Sequence, residues 1–174
     1  EKGYEGVTIE DVADHAGYSR QPVYTLFGDK QNLFFELQRA AIAGVNDLLH
    51  ELMKAGQPLR ANLGRLARFA AERLSSDQPV YGQQLFFVAQ TIALSRPELA
   101  KRMEAEARGL VQEVAGMIRR STLAEGETLR GTPESIAAHL SGIINGMTTV
   151  QFQTRERYTS ADALLAIFLA AAFK

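Results

Sequence analysis

Two short helical patterns, separated by little more than a glycine and a serine, dictate the geometry of residues 8–30, TIEDVADHAGYSRQPVYTLFGDK. Ile9, Val12, Ala13 and Ala16 recur at helical spacing on one face, with Glu10, Asp11, Asp14 and His15 on the other. Thr8 caps this helix, and Asp11 three residues later completes a capping box and places an acid at the positive end of the helix dipole. Gly17 stops it. Ser19 then offers an N-cap only two residues on, so the connection is a tight turn and the two helices must cross rather than stack.

The second helix, from about Arg20 to Phe27, divides its surface. Val23, Leu26 and Phe27 form the expected buried face, while Arg20 with Tyr24 and Gln21 with Thr25 form two adjacent outer rows. Such a face suits a DNA groove, because Arg and Gln carry several donors for base edges and Tyr and Thr hydroxyls reach phosphates. Pro22 at the third helical position deletes one N–H, so the Ser19 cap is expected to use the N–H of Gln21. Asp29 caps a third helix beginning at Lys30. A cation in that first turn opposes the dipole, and a bound phosphate would remove the conflict, so Lys30 is expected to clamp the DNA backbone.

The run TIEDVADHAGYSRQPVYTLFGDKQNLF resembles the DNA-binding domain of tetracycline-repressor-like (TetR family) transcriptional regulators. The resemblance rests on Thr8, Ala13 with Gly17 four later, Ser19, Val23-Tyr24, Phe27, Lys30 and Leu33. It implies that Thr8, Tyr24 and Lys30 touch phosphates and that Arg20, Gln21 and Thr25 lie toward the major groove, with Ser19, which opens the recognition helix, counted among the DNA-binding residues. One feature departs from a DNA-binding surface. Residues 1–32 carry Lys2, Arg20 and Lys30 against Glu1, Glu5, Glu10, Asp11, Asp14 and Asp29, a net of −3. Members of the family have a first helix and often a basic arm upstream of the position of Glu1, so a further N-terminal segment is expected.

At 174 residues and 46% apolar composition the chain has ample length for a compact core. It has no cysteine, hence no disulfide framework, thiolate nucleophile or cysteine-based zinc site, which fits a reducing cytoplasm. The apolar run Ala163 to Phe173, 11 residues, is too short to span a bilayer, so no membrane partner is expected. His15, His50 and His139 are far apart and stand in no metal-ligand spacing, and no phosphate-binding glycine loop or serine elbow occurs. The chain reads as a non-enzyme without cofactor or metal.

Beyond Lys30 the apolar periodicity of Leu33, Phe34, Leu37, Ala41, Val45, Leu48, Leu49 and Leu52 gives a long helix ending near Gly56-Gln57-Pro58. It joins a domain of residues 1–44 to one of residues 45–174. Further helices are expected from Leu59 to Ser75, from after Pro79 to Ser95, from Pro97 to about Leu123, from Thr132-Pro133 onward, and after a Thr159/Asp162 capping pattern. The polar stretch Ala124 to Gly131 reads as a mobile loop. Gly142 and Gly146, four apart, suit close helix approach or ordinary core packing. ALLAIFLAAAF is apolar nearly all round and needs cover on every side, which points to a homodimer through Ile143, Met147, Val150, Leu164, Leu165 and Phe168. In the resembled family the last two helices pair between subunits.

For the second domain, Phe69, Phe86, Phe87, Met103, Met117 and Phe152, with Gln90, Thr91 and His139 as polar groups, are the candidates for a pocket taking a small, mostly apolar effector. The whole reads as an all-α homodimeric repressor that binds a palindromic duplex DNA operator and is released by that effector. A different class of reading is a helical dimerisation or adaptor protein whose helix-turn-helix packs on another protein, which the acidity of residues 1–32 favours.

Overall fold

The structure is a computed structural model that describes residues 3–53, 56–75, 81–154, 156 and 158–174, the side chains of 41–45, 53, 75 and 81–86 excepted. Among the described residues the chain is all helical: α1 Gly3–Gly6, α2 Ile9–His15, α3 Arg20–Phe27, α4 Lys30–Met53, α5 Leu59–Ser75, α6 Tyr81–Ala93, α7 Pro97–Arg120, α8 Pro133–Thr154 and α9 Ala161–Ala172. Pairing of extended backbone among them is confined to isolated bridges, Pro58 with Thr122 and Leu129 with Phe173.

Local chemistry sets most helix limits as the sequence predicts. The Thr8 N–H donates to Asp11 Oδ2 at 2.9 Å and the Asp11 N–H to Thr8 Oγ1 at 3.1 Å, closing the capping box. Gly17 leaves α2 at φ 73°, a conformation a side chain resists. Asp29 Oδ1 accepts from the Asn32 N–H at 2.7 Å and opens α4. Two caps differ from expectation. Ser19 stands in extended backbone before α3 but makes no side-chain cap bond; with the N–H at Pro22 missing, its hydroxyl does not turn to Gln21 instead. At α9 the cap is Ser160, whose Oγ accepts from the Ala163 N–H at 3.2 Å, one residue beyond the expected Thr159.

Two apolar clusters organise the packing. In the first, Phe34 and Phe35 of α4 meet Ala89 and Ile92 of α6 and Leu99 of α7, with Tyr4 and Met103 at the margin. The second gathers Leu49 and Leu52 of α4, the inner stripe of α5, Val114, Met117 and Ile118 of α7, Ile136 and Leu140 of α8, and Leu164 and Phe168 of α9. Here α5 lies along α9 and α7 along α8. Helix α4 thus enters both clusters without a break. The boundary drawn at residue 44 falls in the part of α4 whose side chains are not described.

Two expectations are corrected by this packing. Leu164 and Phe168, assigned to an interface between subunits, are fully buried in the chain's own core, because α9 must first close α5. Ile143, Met147 and Leu165 are half-buried at the margin of that core, and the apolar side chains left outside are Val150 and Ile167, 41% and 43% exposed. A Cβ on Gly142 or Gly146 would meet open space, so neither glycine serves packing within the chain. The stretch 124–131 is also tied down rather than free. Glu127 accepts from the Ala124 N–H at 2.9 Å and pairs with Arg60, and the Arg130 Nε–H donates to the carbonyls of Ala170 and Phe173, both at 2.9 Å, capping α9.

Phe168→Ala should lower unfolding free energy by about 3–5 kcal/mol, whereas Ile167→Ala should change it by less than about 1 kcal/mol, as read by urea denaturation of the isolated subunit.

Candidate nucleic-acid interface

Helix α3 is held to the domain by little of its surface: none of its residues is fully buried, and Val23 and Phe27 are half-buried. Leu26, expected beside them, is 74% exposed. Val23 and Phe27, four apart, share one line along the helix, while Leu26 falls to its side. It borders an open concavity of about 460 Å³ lined also by Phe27, Asn32 and Glu36. On the other side Arg20, Gln21, Tyr24 and Thr25 are all exposed, as the sequence predicts, with Ser19 exposed at the helix start.

Several of these groups have internal partners. The Thr25 hydroxyl donates to the Gln21 carbonyl at 2.8 Å, along its own helix. The Tyr24 hydroxyl donates across to Glu10 Oε1 at 2.9 Å. That bond raises the Tyr24 pKa, and the Glu10 carboxyl is held low by its own backbone N–H and then by Tyr24. The Thr8 hydroxyl donates to Asp11 Oδ2 at 3.1 Å within the capping box.

Lys30 departs furthest from expectation. Its Nζ donates to the carbonyls of Tyr4 at 2.8 Å, Val7 at 2.9 Å and Glu5 at 3.3 Å, and lies 4.6 Å from the Tyr4 ring centroid. The carbonyls of α1 and Val7, negative ends of neutral peptide dipoles, are the partner this cation finds. Lys30 therefore clamps the protein's own backbone, and its three N–H directions are taken.

A second set of side chains, which sequence reasoning missed, ties this domain to α7. Arg102 donates from Nη1 to Asn32 Oδ1 at 2.8 Å and its guanidinium lies 3.6 Å from the Phe35 ring centroid. Arg96 pairs with Glu5 at 3.4 Å. One turn past Arg102, burial pushes the Glu106 carboxyl up, against the opposing pull of Arg102 and Arg39. On the polar side of an amphipathic helix, an arginine that docks and one that is solvated look alike in sequence.

The proposed pocket residues do not converge. Met117 is buried in the second cluster, Met103 borders the first, and Gln90 and His139 are exposed. Phe69 is half-buried, with the Arg73 guanidinium 5.6 Å from its ring centroid. The Phe86 side chain lies outside the described residues. Phe87 and Phe152 do meet, rings tilted with centroids 4.9 Å apart. Thr91 donates its hydroxyl to the Phe87 carbonyl at 3.1 Å. Sequence reasoning overlooked Gln151, 9% exposed with an unpartnered Oε1, on the apolar stripe of α8. Among the described residues no group of His, Asp and Glu side chains has a metal-binding arrangement, and no helix is long and apolar enough to cross a membrane.

Residues 1–37 match the family described as bacterial regulatory proteins, tetR family. The chain is 24% identical over 110 residues to the uncharacterised HTH-type transcriptional regulator YezE of Bacillus subtilis, and 39% identical over 51 residues to the HTH-type transcriptional repressor AcnR of Corynebacterium glutamicum. Those matches cover 63% and 29% of this chain, and only 57% and 27% of the relatives' own lengths. Among solved structures, a protein from Mesorhizobium loti assigned to the TetR family of transcriptional regulators is similar at 26% identity and a TM-score of 0.73, covering 99% of this chain and 90% of that one. A protein from Saccharomonospora viridis assigned as a transcriptional regulator and solved in complex with choline has the same fold, at 21% identity and a TM-score of 0.70, over 98% of this chain and 89% of that one.

Lys30→Met should loosen α1 and cost roughly 1–3 kcal/mol, since it orphans carbonyls that held a charged donor; hydrogen exchange that leaves the amides of residues 3–9 as protected as in the wild type would refute this. Glu106 has a folded-state pKa above its unfolded one, so its charge works against folding at neutral pH and that effect fades as pH falls through the raised pKa. Glu106→Gln should accordingly raise Tm slightly at pH 7, and the gain should vanish in acid.

Proposed function

We propose that this chain, whose first 37 residues carry the tetR-family DNA-binding domain and which has the fold of TetR-family transcriptional regulators, binds an inverted-repeat duplex as a homodimer, represses transcription there and is released by a small effector. The observation that carries the DNA reading is α3 itself. It is an eight-residue helix with no fully buried side chain, presenting Arg20, Gln21, Tyr24 and Thr25 on one exposed side directly after a tight turn from α2. A helix attached by so little of its surface is available for insertion into a groove. Base reading then falls to Arg20, Gln21 and Thr25. Phosphate contact falls to Tyr24 and to the Thr8 and Ser19 end of the motif, with Lys30 acting by fixing α1 against α4.

The dimer reading is supported by what α8 and α9 leave outside. Val150 and Ile167 are large exposed apolar side chains on the last two helices, and the open faces of Gly142 and Gly146 give a second subunit close access to α8. Repression follows the name of the Corynebacterium relative, an HTH-type transcriptional repressor. The effector reading rests on the aromatic pair Phe87 and Phe152 at the α6 and α8 meeting, with the unpartnered Gln151 carbonyl next to Phe152 in sequence. The choline complex of the Saccharomonospora protein supports a small molecule within this fold.

Selection of bound duplexes from a random pool should return an inverted repeat, since two-fold protein symmetry requires a two-fold site. Gln21→Ala should relax preference at particular base pairs by about 1–3 kcal/mol. A pool that emerges unenriched would overturn the DNA reading. Ile167→Glu should give a folded monomer in sedimentation, because a charge there meets the partner and not the chain's own core; an intact dimer would move the interface elsewhere.

A further inference from the structure

Glu10 is an acid set against the surface that is to meet DNA. It lies in the first turn of α2, and its Oε1 accepts the Tyr24 hydroxyl hydrogen at 2.9 Å across the junction with α3. Tyr24 and Arg20 are four residues apart on one exposed row of α3. The Arg20 charge acts on the same carboxylate, which its own backbone N–H and the Tyr24 hydroxyl keep ionised. On that row, the hydroxyl and the guanidinium are the groups with affinity for an anion. The hydroxyl is already bonded to one within the protein, and the guanidinium lies in its field. Lys30, the next cation along the chain, is committed to three carbonyls and cannot compensate.

We propose that Glu10 is an internal competitor for DNA phosphate: its carboxylate holds the Tyr24 hydroxyl, so a duplex must displace that contact before the hydroxyl reaches the backbone. The inference rests on the reading of α3 as the DNA-facing helix. Its consequence is uniform across sequences, because phosphates carry no base information. Every affinity is lowered by a similar factor, and the preference among sequences stays with Arg20, Gln21 and Thr25. Glu10 therefore sets how long the protein dwells on random DNA, not which site it prefers.

Glu10→Gln isolates the charge, since a glutamine amide oxygen still accepts the Tyr24 hydroxyl. Fluorescence anisotropy of the full chain on a labelled random-sequence duplex should show binding about 3- to 10-fold tighter at low salt, a gain that shrinks as added salt screens the removed repulsion. Tm should stay level or fall slightly, because α2 loses an acid from its positive end. Tighter binding by a protein no more stable is what a merely structural residue would not produce. In a Tyr24→Phe background the gain should shrink to the share carried by Arg20. Glu10→Ala serves as a second charge-free variant should the glutamine fold poorly. Binding by Glu10→Gln equal to or weaker than wild type at low salt, with the fold intact, overturns the proposal while leaving the DNA reading in place. Absence of binding by wild type and both charge-free variants overturns the DNA reading itself, and the competitor with it; binding by the charge-free variants alone supports both.

Discussion

Phe35 is completely enclosed, and the side chains clustered with it come from two later helices: Ala89 and Ile92 of α6, Leu99 of α7, and the Arg102 guanidinium stacked on its ring. Burying such a ring contributes on the order of 1.5–3 kcal/mol and the stacked cation up to about 2 more. Helices α2 and α3 on their own bury outright only Ile9 and Ala13. That is too little apolar surface to hold two helices of one or two turns. The helix-turn-helix is therefore stable because α4 is, and the first turns of α4 are stable because Phe34 and Phe35 are seated on α6 and α7.

The parts of this arrangement that were legible in the sequence are those decided locally. The Thr8 and Asp11 box, the Gly17 stop and the Asp29 cap each follow from a few neighbouring residues within one turn. The parts that were not legible depend on what lies opposite. Periodicity marks Leu26 as apolar but says nothing of how narrow its seat is. An isolated lysine at a helix start signals a partner rich in acceptor oxygens without saying whether a phosphate or the carbonyls of α1 will supply it. The same applies to the polar stretch 124–131: its composition permits freedom, and Arg60, Arg130 and the end of α9 remove it.

Helix α9 shows the limit of pattern reading most plainly. A helix apolar around its whole circumference has no periodicity from which to choose an inner face, so Leu164, Leu165 and Phe168 were equivalent candidates for an outer one. Packing chooses Leu164, Phe168 and Ala172, at spacings of four, to lie on α5. The side chain thereby turned outward is Ile167, beside the exposed alanines at 163, 166 and 170. Small residues around one branched side chain leave a low, smooth surface, and Gly142 and Gly146 make a similar one on α8. Surfaces of this kind gain from contact because neither helix has to rearrange to be covered.

The length of α4 then converts packing into geometry. It has 24 residues and so runs for about 36 Å, from Lys30 locked to the carbonyls of α1 to Leu49 and Leu52 in the second cluster. A tilt of about 5° over that length displaces its end by roughly 3 Å, close to one base-pair rise, which is enough to take a recognition helix out of register with a groove. Helix α7 holds the first turns of α4 through Arg102 and through the Phe35 seat beside Leu99, so rotation about that contact moves α3 little while the far end of α4 follows the second cluster. In the dimer proposed above, the second cluster is the fixed frame shared through α8 and α9, and the Phe35 contact is what would move. A ligand that alters the packing of α6 or α7 beneath Phe35 is then coupled to the spacing of two helix-turn-helix units, and by linkage the duplex must alter the affinity for that ligand by the same factor.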